Sequence, residues 1–185
     1  MTGSQFPRPT NHDSRTTTHE PRATNHEPRA TSHGSRAVVV AFGSNLGDRR
    51  AHILAAADRV SAILSGFRLS TIIETAPVGA GLEHDPPYLN AVGVGETSLS
   101  AREVFDALRA IETAAGRTRP YTGAPRTLDL DLILAGDDVV KEEGLEVPHP
   151  RFRERRFVLE PLAEIAPDLR DPVTGLTVKK LLRRV

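Results

Sequence analysis

Residues 37–43, AVVVAFG, form an unbroken apolar run rich in β-branched side chains and closed by glycine, a pattern that predicts a buried strand. After the turn SNLG the period changes. Asp48 is placed to cap a helix, and Ile53, Ala57, Val60 and Leu64 then share one helical stripe, with Gly66 as the expected stop. Two further strands are predicted over residues 67–74 and 88–97, separated by the Pro- and Gly-rich loop APVGAGLEHDPP.

The next helix is marked at both ends. Ser100 and Glu103 have the spacing of a capping box, and Leu99 with Val104 fits the hydrophobic staple around it. Val104, Leu108, Ile111 and Ala115 make the apolar stripe, and Gly116 stops it. The polar loop RTRPYTGAPR leads into TLDLDLILAG, which alternates as a strand does, and Gly136-Asp137-Asp138 turns the chain into VVKEE. A helix is expected around residues 153–165 and a short one after Thr177. The order strand–helix–strand, strand–helix–strand predicts a ferredoxin-like α+β fold, with an antiparallel sheet burying one face against two helices. Additional strands and a C-terminal helix would cover part of the other face, giving a three-layer α/β/α arrangement.

The first 36 residues follow a different rule. PTNHDSR, TTTHEPR, ATNHEPR and ATSHGSR repeat with period seven, with His12, His19, His26 and His33 and Arg15, Arg22, Arg29 and Arg36 in register. A coiled coil needs apolar a and d positions, and only alanines and polar residues are available, so residues 1–36 are predicted to be a disordered tail and residues 37–185 the folded domain.

Lys+Arg and Asp+Glu both total 24 in this 185-residue chain, so no global field favours nucleic acid or an anionic membrane. With no Cys, thiolate chemistry, disulfides and Cys-ligated zinc are excluded. No apolar run approaches bilayer-spanning length, and the N-terminus lacks the apolar stretch of a secretory signal. The expectation is a soluble cytoplasmic protein.

Against this background TLDLDLIL stands out. Strand geometry puts Asp129 and Asp131 on one face and Leu128, Leu130 and Leu132 on the other. Such a pair suits hard divalent cations, while an ordinary solvated strand face has the same pattern. Arg117, Arg119 and Arg126 precede the pair, and His149, Arg151, Arg153, Arg155 and Arg156 follow it, which suits phosphate oxygens. Some of these arginines would instead balance Glu142, Glu143 and Glu154. There is no G-x-x-x-x-G-K-[ST], no G-x-G-x-x-G after a strand and no G-x-S-x-G, so any bound nucleotide would have its phosphates held by metal and arginine. Tyr88, Asn90 and Phe157 offer flat rings and an amide for a heterocycle, or else core packing. Two other readings remain at this level. One is a palm-type nucleotidyltransferase or cyclase, and the other is a non-catalytic ferredoxin-like module that binds RNA or a small regulator.

FGSNLGD at 42–48, ETAPVG at 74–79, PYLNA at 87–91, PRTLDLDLIL at 125–134 and VPHPRFRERRFVLEPLAEIAP at 147–167 occur in this order. Together they resemble the 6-hydroxymethyl-7,8-dihydropterin pyrophosphokinases of folate biosynthesis. The resemblance implies transfer of diphosphate from ATP to the pterin hydroxymethyl oxygen, with release of AMP. It implies that Asp129 and Asp131 hold two magnesium ions, and that Tyr88 and Phe157 sandwich the pterin. Asn90 and the backbone around Thr75, Pro77 and Val78 would hold the pterin edge. Glu112 would face the nucleoside, and Arg117, Arg119, Arg126, His149 and Arg155 would handle the triphosphate. Arg117 and Arg126 would act catalytically, from mobile loops. Departures from the family pattern are the absence of Trp before GAPR, where Tyr121 stands nearby, together with Arg109 and Pro150. The implied partners are small molecules alone, with no nucleic acid and no membrane, and a monomer is expected.

Overall fold

The computed structural model describes residues 1–3, 34–77, 85–116 and 126–185. The chain divides into two units, Met1–Thr31 and Ser32–Val185. Of the first unit only residues 1–3, all exposed, are described, so the repeat predicted to be disordered lies outside the described residues apart from positions 34–36.

In the second unit the apolar run becomes β1 (Arg36–Ser44), followed by α1 (Arg49–Ser61), β2 (Ser65–Leu69), β3 (Ile73–Thr75), β4 (Tyr88–Thr97), α2 (Ala101–Ala114) and β5 (Asp129–Ala135). The main sheet has the order β2-β4-β1-β5, with β3 also paired to β4, and every pairing is antiparallel. This is the ferredoxin-like arrangement the alternation of elements predicts. A hairpin of β6 (Val140–Glu142) and β7 (Leu145–Val147), a 3-10 turn (Phe152–Glu154), α3 (Arg156–Ile165) and α4 (Val178–Leu182) complete the unit.

The sheet is buried on both faces. Toward α1 and α2 it presents Val38, Val40, Phe42, Leu128, Leu130 and Leu132, packed with Ile53, Val60, Val104 and Leu108. Each of these leucines is almost fully withdrawn from water, which stabilises the fold by about 2 kcal/mol per side chain. Toward α3 and α4 it presents Val39, Val92, Val94, Ile133 and Leu134, packed with Phe152, Leu159, Leu162 and Leu181. A register shift in β1–β5 pairs Val40 with Leu132 but Val39 with Leu134, so Ile133 and Leu134 both join the second layer.

Local signals explain most element ends. Asp48 accepts from the Ala51 N–H at 3.0 Å, and Ser100 and Glu103 form the full capping box. Gly116 follows α2 with φ of 74°, a conformation open to glycine at no steric cost. Two expectations need correction. Helix α1 ends at Ser61, not at Gly66, because Ala62 and Ile63 bond back to Arg59 and Val60, and β2 begins at Ser65. The strand expected over 67–74 is broken after Leu69. Ser70 donates its N–H to Val92 and accepts the Val92 N–H on its hydroxyl, so a side chain takes a place in the ladder and the pairing resumes one residue out of step at Ile73.

Candidate active site

The sheet register assembles one polar row. Gly43 of β1 lies opposite Asn90 of β4 and opposite Asp129 of β5, and Ile73 of β3 lies opposite Asn90. Two residues along the strands, Ala41 lies between Val92 and Asp131, and Tyr88 pairs with Thr75. Because paired residues of antiparallel strands share a face, Thr75, Tyr88, Asn90, Asp129 and Asp131 all stand on the α3 side. Gly43 keeps the middle of this surface low. A Cβ there would sit 3.4 Å from Asn90 Oδ1, 3.7 Å from Asp129 Cβ and 4.0 Å from Tyr88 Cδ1. Asn90 is buried and donates its amide to Thr75 Oγ1 at 2.7 Å.

Cations oppose the two carboxylates. Arg126 meets Asp129 at 3.1 Å, and its guanidinium lies 5.9 Å from the centre of the Tyr88 ring. Arg155 meets Asp131 at 3.3 Å and lies 5.6 Å from the ring centre of Phe157, in the first turn of α3. His149 is tied to β5 through its N–H on the Ile133 carbonyl at 2.9 Å, which brings Nε2 to 3.8 Å from Asp131. Burial lowers the His149 pKa, helped by Arg155 and partly offset by Asp131. Its Nδ1 accepts the Arg151 N–H at 3.2 Å, so the neutral ring carries its proton on Nε2, the nitrogen facing Asp131. Burial also raises the Tyr88 pKa, with Asp129 and Asp85 adding to the effect and Arg126 opposing it, so the ring stays a neutral phenol.

Of the residues singled out in the sequence, Thr75, Tyr88, Asn90, Arg126, Asp129, Asp131, His149, Arg155 and Phe157 therefore come to one side of the sheet. Pro77 is half-buried at the end of the described segment after β3. Val78, Arg117, Arg119 and Tyr121 lie outside the described residues. Glu112 is on the helix α2 side and only 1 % exposed, with Oε1 accepting the Leu130 N–H at 2.7 Å and Oε2 facing Arg109 at 3.0 Å. Arg153 and Arg156 are engaged elsewhere, with Asp171 and Glu160.

Two positioning residues escaped the sequence reading. Asn45, 2 % exposed, takes the Arg126 N–H on Oδ1 at 2.7 Å, gives its own N–H to the Arg126 carbonyl at 3.2 Å and reaches the Pro86 carbonyl at 3.4 Å. Arg49 donates to the Pro87 carbonyl at 2.7 Å and pairs with Glu74 at 2.9 Å. Together they hold the approaches to Tyr88 and Arg126. The one signal in the sequence was a polar Asn between apolar β1 and the capped α1.

Asp129 and Asp131 are partly exposed, and among the described residues no third His, Asp or Glu completes a metal cage with them. That donor set fits magnesium, which keeps several waters and is commonly held by one or two carboxylates together with substrate phosphates. No described helix is long and apolar enough to cross a membrane.

A ferredoxin-like sheet whose polar end sets paired carboxylates against guanidinium groups places the protein in the class of α+β enzymes that handle phosphate-bearing substrates. The comparisons with known proteins narrow the class. A model of the family described as 7,8-dihydro-6-hydroxymethylpterin-pyrophosphokinase (HPPK) matches residues 39–167. The 2-amino-4-hydroxy-6-hydroxymethyldihydropteridine pyrophosphokinase of Pseudomonas aeruginosa is 40% identical over 137 residues, covering 73% of this chain and 83% of that protein. The Bacillus subtilis protein of the same name is 39% identical over 138 residues, covering 74% and 81%. The chain belongs to the HPPK family. A folic acid synthesis protein of Pneumocystis carinii, fol1, is 36% identical over 152 residues, of which the chain spans only 20% of the length. The crystal structure of wild-type Plasmodium falciparum HPPK-DHPS with pterin and p-hydroxybenzoate superposes with a TM-score of 0.63 at 14% identity, covering 84% of this chain and 44% of that one. At that identity the likeness speaks to the fold alone.

Proposed function

We propose that the protein transfers the diphosphate of ATP to the hydroxymethyl oxygen of 6-hydroxymethyl-7,8-dihydropterin and releases AMP, with magnesium held by Asp129 and Asp131. The pyrophosphokinase activity follows the family. The protein acts as a cytoplasmic monomer on small molecules alone. The observation that carries the proposal is the row Asn90–Gly43–Asp129, in which only a glycine separates a buried amide from the first of the two carboxylates.

In the reaction the substrate alcohol oxygen bonds to the β-phosphorus of ATP. The bond from that phosphorus to the α,β-bridging oxygen breaks, AMP leaves with the bridging oxygen, and the alcohol proton passes to solvent. Magnesium, when bound, supplies charge neutralisation at the phosphate oxygens and makes the alcohol more acidic. The protein's own groups bind and orient, which is most of what phosphoryl chemistry asks of an enzyme. Tyr88 and Phe157 flank the pterin, and Asn90, itself held by Thr75, reads its edge, with Pro77 and Val78 alongside. Arg126 and Arg155, which stand beside the carboxylates, would bind phosphate oxygens, and His149 would donate to them from Nε2. Arg117 and Arg119 add positive charge from the preceding loop.

Incubation with ATP, magnesium and the dihydropterin should yield AMP and the pterin diphosphate in equal amounts by mass spectrometry. Asp131→Ala should lower turnover by at least about 10²-fold with little change in melting temperature, since a part-exposed carboxylate adds little to the core. ADP or free diphosphate as product would reject the assignment, and undiminished turnover in the variant would remove Asp131 from the site.

A further inference from the structure

β5 is the edge strand of the main sheet, and it carries both site carboxylates. An edge strand leaves alternate N–H groups without a ladder partner, and a buried N–H needs one. At Leu130, the residue between Asp129 and Asp131, that partner is Glu112 Oε1 at 2.7 Å, and the bond is buried. Glu112 reaches it from α2, so the contact joins a helix side chain to the backbone that spaces the two carboxylates. Its second oxygen faces Arg109 at 3.0 Å. Arg109 in turn lines a cavity of about 660 Å³ that runs past Phe105, Leu130 and Lys141 to Asp131 and His149.

We infer that Glu112 is a positioning residue that acts through Leu130. It clasps the free edge of β5 and sets the backbone between Asp129 and Asp131, and it links that backbone to the wall of the adjoining cavity through Arg109. This rests on the reading of Asp129 and Asp131 as the magnesium carboxylates and differs from a direct contact between Glu112 and the nucleotide. A carboxylate shut away at 1 % exposure, with one oxygen on the strand and the other on Arg109, is built to hold protein rather than ligand. A glutamine keeps an oxygen for Leu130, whereas an aspartate, one methylene shorter, falls short of it.

The test compares Glu112→Gln, Glu112→Asp and Glu112→Ala with the wild type in three measurements. These are the amide hydrogen exchange of Leu130, the affinity for Mn²⁺ in the presence of a non-hydrolysable ATP analogue, and the kcat and KM values. The wild-type Leu130 amide should be strongly protected. Glu112→Asp and Glu112→Ala should lose that protection and weaken Mn²⁺ binding tenfold or more, lowering kcat while the KM for pterin is unchanged, and Glu112→Gln should restore most of both. A freely exchanging Leu130 amide in folded wild-type protein would overturn the clasp even if the variants fail to fold. A rise in the KM for ATP in all three variants, with metal affinity unchanged, would overturn it in favour of direct nucleotide contact. Absence of metal binding by the wild type would instead defeat the reading of Asp129 and Asp131, leaving the Leu130 exchange result to stand by itself.

Discussion

Asp171→Asn gives a sharp test of how the site is held from behind. Asp171 is 0 % exposed and takes two bonds from Arg153, Nε at 2.7 Å and Nη2 at 2.6 Å, together with the Val173 N–H at 3.2 Å and the Thr174 hydroxyl. Arg153 belongs to the 3-10 turn, two residues before Arg155 and four before Phe157. The pair therefore anchors the segment that delivers a cation and a ring to the site. Asparagine keeps the shape and one acceptor oxygen but turns an amide N–H toward the guanidinium. Removing one partner of a buried ion pair costs about 3–5 kcal/mol, and because water still reaches Arg153 the lower end, about 3 kcal/mol, applies. For a domain of this size that is about 6–12 °C in melting temperature. Thermal unfolding followed by circular dichroism measures it, and the cycle with Arg153→Met should show coupling of at least about 1 kcal/mol. A fall of less than about 2 °C, with additive single and double variants, would refute the anchor.

The same pair sets a pH dependence. Burial pushes the Asp171 carboxyl upward, but the bonds from Arg153, Thr174 and Val173 outweigh it and hold the carboxyl below its ordinary value. A depressed folded-state pKa stabilises the protein at pH values above about 3.9 and is lost as the pH falls through the folded value. The melting curves of wild type and Asp171→Asn should therefore differ most above about pH 4 and converge in stronger acid. Ser100→Ala removes the capping box of α2 and should cost about 1 kcal/mol in urea titration, with no effect on turnover. Deleting residues 1–33 spares β1 and the ion pair of Arg36 with Asp138, so turnover and melting temperature should match the full chain. A clear drop in either would give the tail a role.

The parts legible in the sequence were those governed by neighbours in the chain. The capping box and stripe of α2, the β-branched run of β1 and the Leu/Asp alternation of β5 all depend on spacings of a few residues, and all formed as expected. The topology followed from the order of the elements. What stayed hidden was decided across long separations. Ser70 replaces a backbone group in the ladder opposite Val92, which no local pattern announces, and so the strand predicted over 67–74 divides. Asn45 acts on Arg126, 81 residues away, and Glu112 acts on a backbone N–H rather than on a side chain with a recognisable partner. Arg153 looked like one member of a basic cluster until its pairing with Asp171 took it out of the phosphate-facing set. The residues proposed for the site were picked out by motif resemblance, and the residues that hold them were not.

The register shift in β5 can be read as a change of parity. Up to Leu132 the even-numbered residues face α1 and α2, and beyond the shift the odd-numbered Ala135 does. The strand is therefore two independent phrases joined at one extra residue. The first phrase, 129–132, keeps its carboxylates in step with Gly43 and Ala41. The second, 133–135, sends two consecutive large side chains under α3 and reaches the Gly136 turn in step with Val38. A single deletion at 133 or 134 would restore plain alternation while leaving the Asp129 and Asp131 pairings in place. The polar end of the strand can thus keep its pairings while its apolar end is re-cut to fit a different covering helix.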